Sequence, residues 1–252
     1  MKPVVCAIGT TEPWSAAGLT LDVRALAELG AHPLTVVAAV SAQDGGGVGA
    51  LFPLPPAALR AQLESIASAP IDAFRIGALP TLDSAREVVR ALAARTVPSV
   101  YDPAFLASAG GALTRDDAAA IAWTLIPHVS LVTPNLDEAE VLLERPVRDL
   151  AQMHAAASEL VARGAAAALV KGGHLEDRSI DVLCASDGSV ALAAPRLEFH
   201  LRGTGCLLAD AVAVALARGT PLRAAVESAR GYVRAKLAGG ITLAGMRLAD
   251  GF

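Results

Sequence analysis

The chain has 252 residues, of which 54% are hydrophobic, and its 21 basic and 25 acidic residues give a net charge of −4. It contains no basic run of the kind that tracks a phosphate backbone, which argues against nucleic acid as a partner. Charged residues interrupt the apolar segments every few positions, which argues against a membrane-spanning helix.

Short β-branched runs alternate with amphipathic segments along the chain, and this predicts strands alternating with helices. The predicted strands lie at residues 4–8, 34–40, 73–79, 98–102, 129–133 and 167–171. The predicted helices lie at residues 16–30, 55–68, 84–95, 115–126, 135–144, 149–164, 203–218 and 221–237. Such alternation is typical of a mainly parallel sheet covered by helices on both faces.

One stretch departs from this alternation. Residues 181–195, DVLCASDGSVALAAP, predict an antiparallel hairpin that turns at Asp187-Gly188. No linker, repeat or low-complexity tract divides the chain. We therefore expect an α/β fold in a single domain that spans residues 1–252.

The cysteines and the N-terminal segment bear on the compartment. Cys6, Cys184 and Cys206 are odd in number and widely spaced, which favours reduced thiols over a disulfide framework. The apolar run near the N-terminus is too short for a signal peptide. We expect a cytoplasmic protein.

Polar residues follow most of the predicted strands. In a parallel α/β sheet, ligands gather beyond the carboxyl ends of the strands, so these positions predict a binding site. They are Gly9 to Glu12, Gln43 to Gly47, Asp102, Thr133 to Asn135, and Lys171 to His174.

Lys171 is unusual in a chain that has three lysines against 18 arginines. At a strand end before two glycines, its compact charge could reach a nucleotide phosphate. A surface lysine on a turn is the alternative.

Asn135 and Glu138 also allow two interpretations. Asn followed three residues later by Glu is a capping box, which explains the pair without any ligand. A carboxylate at the start of this helix could instead hold Mg²⁺ through water. Asp102, which ends a strand before Pro103, could join the same metal and phosphate network or begin a turn.

Asp22 and Gln43 could bracket a small heteroaromatic ring, because a carboxylate and an amide offer the paired hydrogen bonds that a buried polar ligand needs. Asp22 on a solvated helix face is the alternative.

The stretch RGTGC, residues 202–206, has the composition of an anion hole. Gly203 and Gly205 allow close backbone approach, Thr204 adds a hydroxyl, and the N–H groups of the following helix point at the anion. The dinucleotide fingerprint does not fit, because Leu208 stands at its third glycine position. Cys206 is either a small buried apolar residue or a thiol whose pKa the helix N-terminus lowers.

Three stretches, TPNLDEAE, LVKGGHLED and RGTGCLLADAV, occur in an order and at separations that resemble the hydroxymethylpyrimidine/phosphomethylpyrimidine kinases of thiamine biosynthesis. The likeness runs from Ile8 to about Leu237 and includes AFRIGAL and YDPAF. The resemblance implies a ribokinase-like three-layer αβα sandwich, usually dimeric. It also implies ATP as phosphoryl donor, Mg²⁺ as cofactor, and a pyrimidine alcohol and its monophosphate as acceptors.

The resemblance also implies roles for individual positions. Substrate contacts fall on Asp22, Gln43, Gly9 and Ala78; nucleotide contacts on Lys171, Asp102, Asn135 and Thr204; Mg²⁺ contacts on Glu138 and Asp102; and catalysis on Cys206, Lys171 and the anion hole of Gly203, Thr204 and Gly205. Cys206 stands where related sugar kinases carry an aspartate base.

Several positions depart from the family pattern. The first loop, GTTEPWSAAGLTLD at residues 9–22, is one residue longer than the usual GSDPSGGAGIQAD. Ser108 replaces a lysine, Ala78 stands where methionine is common, and Arg202 replaces the histidine before GTGC. These changes lie on the substrate side, so a pyridoxal kinase and a non-catalytic pyrimidine sensor are the alternative functions.

Overall fold

A computed structural model describes residues 1–173, 178–195, 197 and 201–250. Within these ranges, nine strands form one sheet: β1 (Val4–Thr11), β2 (His32–Asp44), β3 (Gly47–Pro53), β4 (Ala73–Ile76), β5 (Ser99–Tyr101), β6 (Leu131–Val132), β7 (Ala168–Gly172), β8 (Arg178–Ala185) and β9 (Gly188–Pro195). Their order across the sheet is β3-β2-β1-β4-β5-β6-β7-β8-β9. The pairs from β2 to β7 are parallel, whereas β3, β8 and β9 pair antiparallel at the two edges.

Helices cover both faces of this sheet. They are α1 (Gly18–Glu28), α2 (Pro56–Ser65), α3 (Leu82–Ala93), α4 (Ala118–Leu125), α5 (Leu136–Leu143), α6 (Leu150–Ala162), α7 (Thr204–Ala217) and α8 (Leu222–Gly239). Alternate residues of β1 face opposite layers: Cys6 and Ile8 join the core formed with α2 to α6, and Val5 and Ala7 join the core formed with α1, α7 and α8. The three-layer αβα sandwich is therefore confirmed.

Three local expectations need correction. The hairpin between β8 and β9 turns at Ser186-Asp187, one residue earlier than expected, because Ala185 pairs with Gly188. A second hairpin, between β2 and β3, lies at the other edge and was missed because its turn and β3 are rich in glycine. A short hairpin of β10 (Ile241–Leu243) and β11 (Met246–Leu248) follows α8 and was also missed.

The carboxyl ends of the central strands meet at one edge of the sheet. Backbone hydrogen bonds step across this edge from the residue after one strand to its neighbour. Gly77 N bonds Ile8 O at 2.8 Å, Asp102 N bonds Ile76 O at 2.9 Å, and Thr133 N bonds Tyr101 O at 2.9 Å. These steps bring the polar residues after β4, β5 and β6 side by side. Within the described ranges, no helix is long and apolar enough to cross a bilayer.

Candidate active site

Asp102 and Lys171 form an ion pair at the carboxyl ends of β5 and β7. Lys171 Nζ lies 2.5 Å from Asp102 Oδ1, and the lysine side chain is only 16% exposed. Thr133 donates its hydroxyl to the same oxygen at 3.1 Å. The interpretation of Lys171 as a surface lysine is therefore wrong, because it lies partly buried beside a carboxylate.

The two charges of this pair stabilise one another. Burial alone would raise the pKa of Asp102, but Lys171 and Arg75 outweigh it and lower that pKa below its ordinary value. Burial alone would lower the pKa of Lys171, but Asp102 and Glu138 raise it. At neutral pH the pair is thus a carboxylate and an ammonium.

The start of α5 contains the expected capping box. Glu138 N bonds Asn135 Oδ1 at 2.8 Å, and Asn135 N bonds Glu138 Oε2 at 2.7 Å. Backbone pairing of Asn135 with Lys171 holds this helix end beside the ion pair. Burial raises the pKa of Glu138 to about 7, against the opposing effect of Lys171.

Two carboxylate oxygens at this edge of the sheet take no part in the hydrogen bonds described so far. No hydrogen bond from the described residues reaches Oδ2 of Asp102 or Oε1 of Glu138. Mg²⁺ in kinases commonly takes one or two carboxylates plus water and substrate phosphates, so this donor set fits the ion. No group of three or more His, Cys, Asp or Glu side chains arranged for a metal occurs in the part of the chain that the structure describes. His174 lies outside the described residues.

The N-terminus of α7 presents backbone donors to the ion pair. Gly203 is the N-cap at φ 77°, and no side chain caps the helix. A side chain at Gly203 would collide with Ala16 O and Leu21, so only glycine fits the turn. Within the described residues, no acceptor meets the N–H groups of Thr204, Gly205 and Cys206. An added Cβ at Gly205 would lie 3.0 Å from Asp102 Oδ2 and 3.2 Å from Lys171 Nζ.

A buried ionic cluster lies beneath this turn, and its arginine was missed in the sequence. Arg75 points inward from β4, with Nη1 3.2 Å from Asp22 Oδ2 and Nε 3.4 Å from Asp210 Oδ1. Its Nη2 lies 3.9 Å from Asp102 Oδ2, which connects the cluster to the ion pair above. A charged residue in the middle of a strand buried on both faces was the signal that could have revealed it.

The cluster holds more carboxyl groups than its cations neutralise. Burial raises the pKa of Asp22 to about 6 and that of Asp210 well above its ordinary value. As anions, both carboxyls leave buried oxygens without hydrogen bonds among the described residues. A proton held by Asp210 and donated to Asp22 removes this cost. Asp22 is thus fully buried, and the expectation of a solvated helix face is wrong.

The thiol of Cys206 is not acidified, contrary to the expectation from its place at a helix N-terminus. Burial raises its pKa to about 12; Arg75 opposes this shift, and the carboxyl groups of Asp22, Asp102 and Asp210 add to it. Cys206 is therefore a neutral thiol at physiological pH, able to donate a hydrogen bond.

This thiol state predicts a pH profile for alkylation. The rate of Cys206 modification by iodoacetamide should rise about tenfold per pH unit from pH 7 to beyond pH 9, because only the thiolate reacts. Mass spectrometry of the modified peptide measures this rate, with Cys206→Ala as the control for labelling of Cys6 and Cys184. A rate that levels off at or below pH 7 would contradict the raised pKa.

A cleft of about 550 Å³ lies at the end of β2 and the start of β3. Its lining includes Trp14 and Gln43, while Asp22 is not among the lining residues. Gly9 lies in β1, where an added Cβ would contact Gly77. Ala78 O accepts a hydrogen bond from the Thr10 hydroxyl at 3.2 Å. The structure therefore brings Gln43 to a cleft but assigns Asp22 to the buried cluster.

The lengthened first loop folds around one carboxylate. Glu12 is buried and accepts backbone N–H groups from Trp14 at 2.6 Å, Ala16 at 2.5 Å and Ala17 at 3.0 Å. These bonds fix the indole of Trp14 at the cleft and hold the Ala16 carbonyl against Gly203.

Comparisons with known proteins bear on the family and the fold. The family model described as phosphomethylpyrimidine kinase matches residues 12–248. A hydroxymethylpyrimidine/phosphomethylpyrimidine kinase of Streptomyces coelicolor is 36% identical over 248 residues, covering 96% of this chain and 91% of that protein. A solved phosphomethylpyrimidine kinase of Clostridium difficile is 25% identical with a TM-score of 0.80, covering 93% of this chain and 99% of that one. A solved pyridoxal kinase of Staphylococcus aureus in complex with AMP-PCP and pyridoxal is 24% identical with a TM-score of 0.90. The match covers 99% of this chain and 93% of that one.

Proposed function

The chain belongs to the phosphomethylpyrimidine kinase family, and from this premise we propose the reaction that its site performs. It transfers the γ-phosphoryl group of ATP, with Mg²⁺, to the hydroxymethyl group of 4-amino-5-hydroxymethyl-2-methylpyrimidine, to the monophosphate of that alcohol, or to both. This phosphorylation serves thiamine biosynthesis.

One observation carries the proposal. Gly205 stands directly against the Asp102–Lys171 pair, so the N-terminus of α7, whose first N–H groups meet no acceptor among the described residues, adjoins a partly buried ammonium. A phosphoryl group in flight spreads negative charge over its oxygens, and donors fixed in advance around that space stabilise it. We assign Gly203, Thr204 and Gly205 to the anion hole, and we assign Lys171 to stabilising the negative charge of the phosphoryl group.

The acidic side of the site suits the nucleotide and its metal. Asp102 and Glu138 would hold Mg²⁺, because each has a carboxylate oxygen free of hydrogen bonds from the described residues. The ion, when bound, neutralises phosphate charge. Asn135 and Thr204 flank this position and are assigned to the nucleotide.

Cys206 is assigned to orienting the acceptor alcohol. As a neutral thiol it donates a hydrogen bond to the substrate oxygen, and a loose phosphoryl transfer does not require a strong base. Gln43, Gly9 and Ala78 are assigned to the substrate ring; of these three, Gln43 lines the cleft. Asp22 is assigned to positioning through Arg75 rather than to direct ring contact.

A pyridoxal kinase is the second candidate. The first loop contributes Pro13 and Trp14 to the cleft of about 550 Å³, which also suits a substituted pyridine. We further propose that the chain acts as one domain, in the cytoplasm, as a homodimer; sedimentation velocity of the purified protein tests the last point.

Purified protein assayed with Mg²⁺-ATP and each of three acceptors tests the proposal. We expect kcat/KM for the pyrimidine alcohol or its monophosphate to exceed that for pyridoxal by at least about tenfold. A preference for pyridoxal would replace the first candidate with the second. The absence of transfer to all three acceptors would contradict a kinase and favour a pyrimidine sensor.

A further inference from the structure

Arg202 directly precedes the anion hole, and its guanidinium contacts the end of β2. Its Nη2 donates to Gln43 Oε1 at 3.1 Å, and its Nη1 donates to Asp44 O at 2.7 Å. The same Nη1 lies 3.2 Å from Met246 Sδ, so β11 supports the side chain from behind. Gln43 and Asp44 line the cleft, and Asp44 and Met246 line a second cavity that shares Asp44 with it.

This contact decides which end of the Gln43 amide is available to a ligand. Arginine has only donors, so it pairs with the carbonyl oxygen and turns the NH₂ group the other way. Gln43 is only 8% exposed, and its Nε2 meets no acceptor among the described residues. Among the described residues, Nε2 of Gln43 is not one of the buried atoms that lack a hydrogen-bond partner, so this NH₂ group is open to solvent, and an acceptor atom on a ligand in the cleft can bond to it.

The lining of the cleft also includes an aromatic side chain. This side chain is that of Trp14, and the bond from the Trp14 N–H to Glu12 fixes the backbone that carries the indole. A planar indole favours a flat aromatic ligand through stacking.

We infer that Arg202 determines substrate specificity by making Gln43 a donor only. The cleft then selects an aromatic ring by an acceptor atom, such as a ring nitrogen, and does not read an exocyclic amino group through Gln43. The inference rests on the proposed function, because that function assigns Gln43 to the substrate ring.

Ring binding can be measured apart from catalysis. The chain has two tryptophans, and Trp123 bonds Leu142 O away from the cleft, so a Trp123→Phe background leaves Trp14 as the reporter. Fluorescence titration then gives dissociation constants for two probes. These are 4-amino-5-hydroxymethyl-2-methylpyrimidine and 5-hydroxymethyl-2-methylpyrimidine, which lacks the amino group.

With Arg202 present, we expect the two dissociation constants to agree within about threefold. In Arg202→Met the freed carbonyl accepts from the amino group, and the ratio should rise to about tenfold or more. Gln43→Glu keeps the arginine contact but loses the NH₂ donor, so both probes should bind at least about tenfold more weakly. Arg218→Met is the matched control, because Arg218 bonds the Leu29 carbonyl away from the cleft; its ratio should stay unchanged.

Two results would overturn the inference. One is a ratio of the two dissociation constants that is the same in Arg202→Met as in the Trp123→Phe background. The other is a Gln43→Glu variant that binds both probes as tightly as that background does. If Arg202→Met does not fold, the Gln43→Glu result decides. Loss of phosphoryl transfer with this binding pattern intact would contradict the proposed kinase function and leave the inference standing.

Discussion

Replacing Arg75 with methionine is expected to lower the free energy of unfolding by about 3–5 kcal/mol at pH 8. Methionine fills much of the same space, but it leaves the buried carboxyl groups of Asp22, Asp102 and Asp210 without the guanidinium between them. Removing one member of a buried ionic cluster is costly because the remaining charges stay away from water. Urea unfolding followed by circular dichroism measures the change.

The difference in the free energy of unfolding between the wild-type chain and Arg75→Met should become smaller as the pH falls. Asp22 and Asp210 have raised pKa values in the folded chain, so folding takes up protons between their ordinary values and their raised values. Loss of Arg75 raises these pKa values further. Protonation of the two carboxyl groups at pH 5 then relieves the repulsion between them. Arg223→Met, which removes an exposed ion pair with Glu227, is the control and should cost less than about 1 kcal/mol. If Arg75→Met lost no more free energy of unfolding than Arg223→Met, the result would contradict the buried ionic cluster around Arg75.

Replacing Gly205 with alanine is expected to lower kcat by about 100-fold or more while the chain stays folded. The added Cβ stands 3.0 Å from Asp102 Oδ2 and 3.2 Å from Lys171 Nζ, within the space assigned to the phosphoryl group. Alanine suits a helix, so the melting temperature should change little. Steady-state kinetics and thermal unfolding test the two parts.

The chain offers a matched control for this substitution. Gly231 lies in α8, where an added Cβ meets nothing within 4 Å. Gly231→Ala should therefore leave kcat unchanged and stabilise the chain slightly. A comparable loss of turnover in both variants would mean that Gly205 has no special place in the reaction.

Local patterns in the sequence were enough to predict the helices, the central strands and the capping box. The period of apolar residues determines the first two, and the box needs only Asn135 and Glu138 three residues apart. The edge strand β3 was not predictable in this way, because its glycines lack β propensity and its pairing with β2 is a tertiary contact.

The electrostatics of the site needed the three-dimensional structure. Asp210 lies on an otherwise apolar helix, and only packing brings it to Arg75 on β4. The same packing buries the Cys206 thiol, and this burial reverses the direction expected for its pKa. Residue spacing along the chain carries none of this information.

The most direct test of the central claim is a single turnover with γ-labelled ATP, Mg²⁺ and the pyrimidine alcohol or its monophosphate, with enzyme in excess. We predict that the wild-type chain and Gly231→Ala move the label onto the pyrimidine, whereas Gly205→Ala retains it in ATP at least about 100 times longer. Transfer by Gly205→Ala at the wild-type rate, or release of the wild-type label only as inorganic phosphate, would contradict the account.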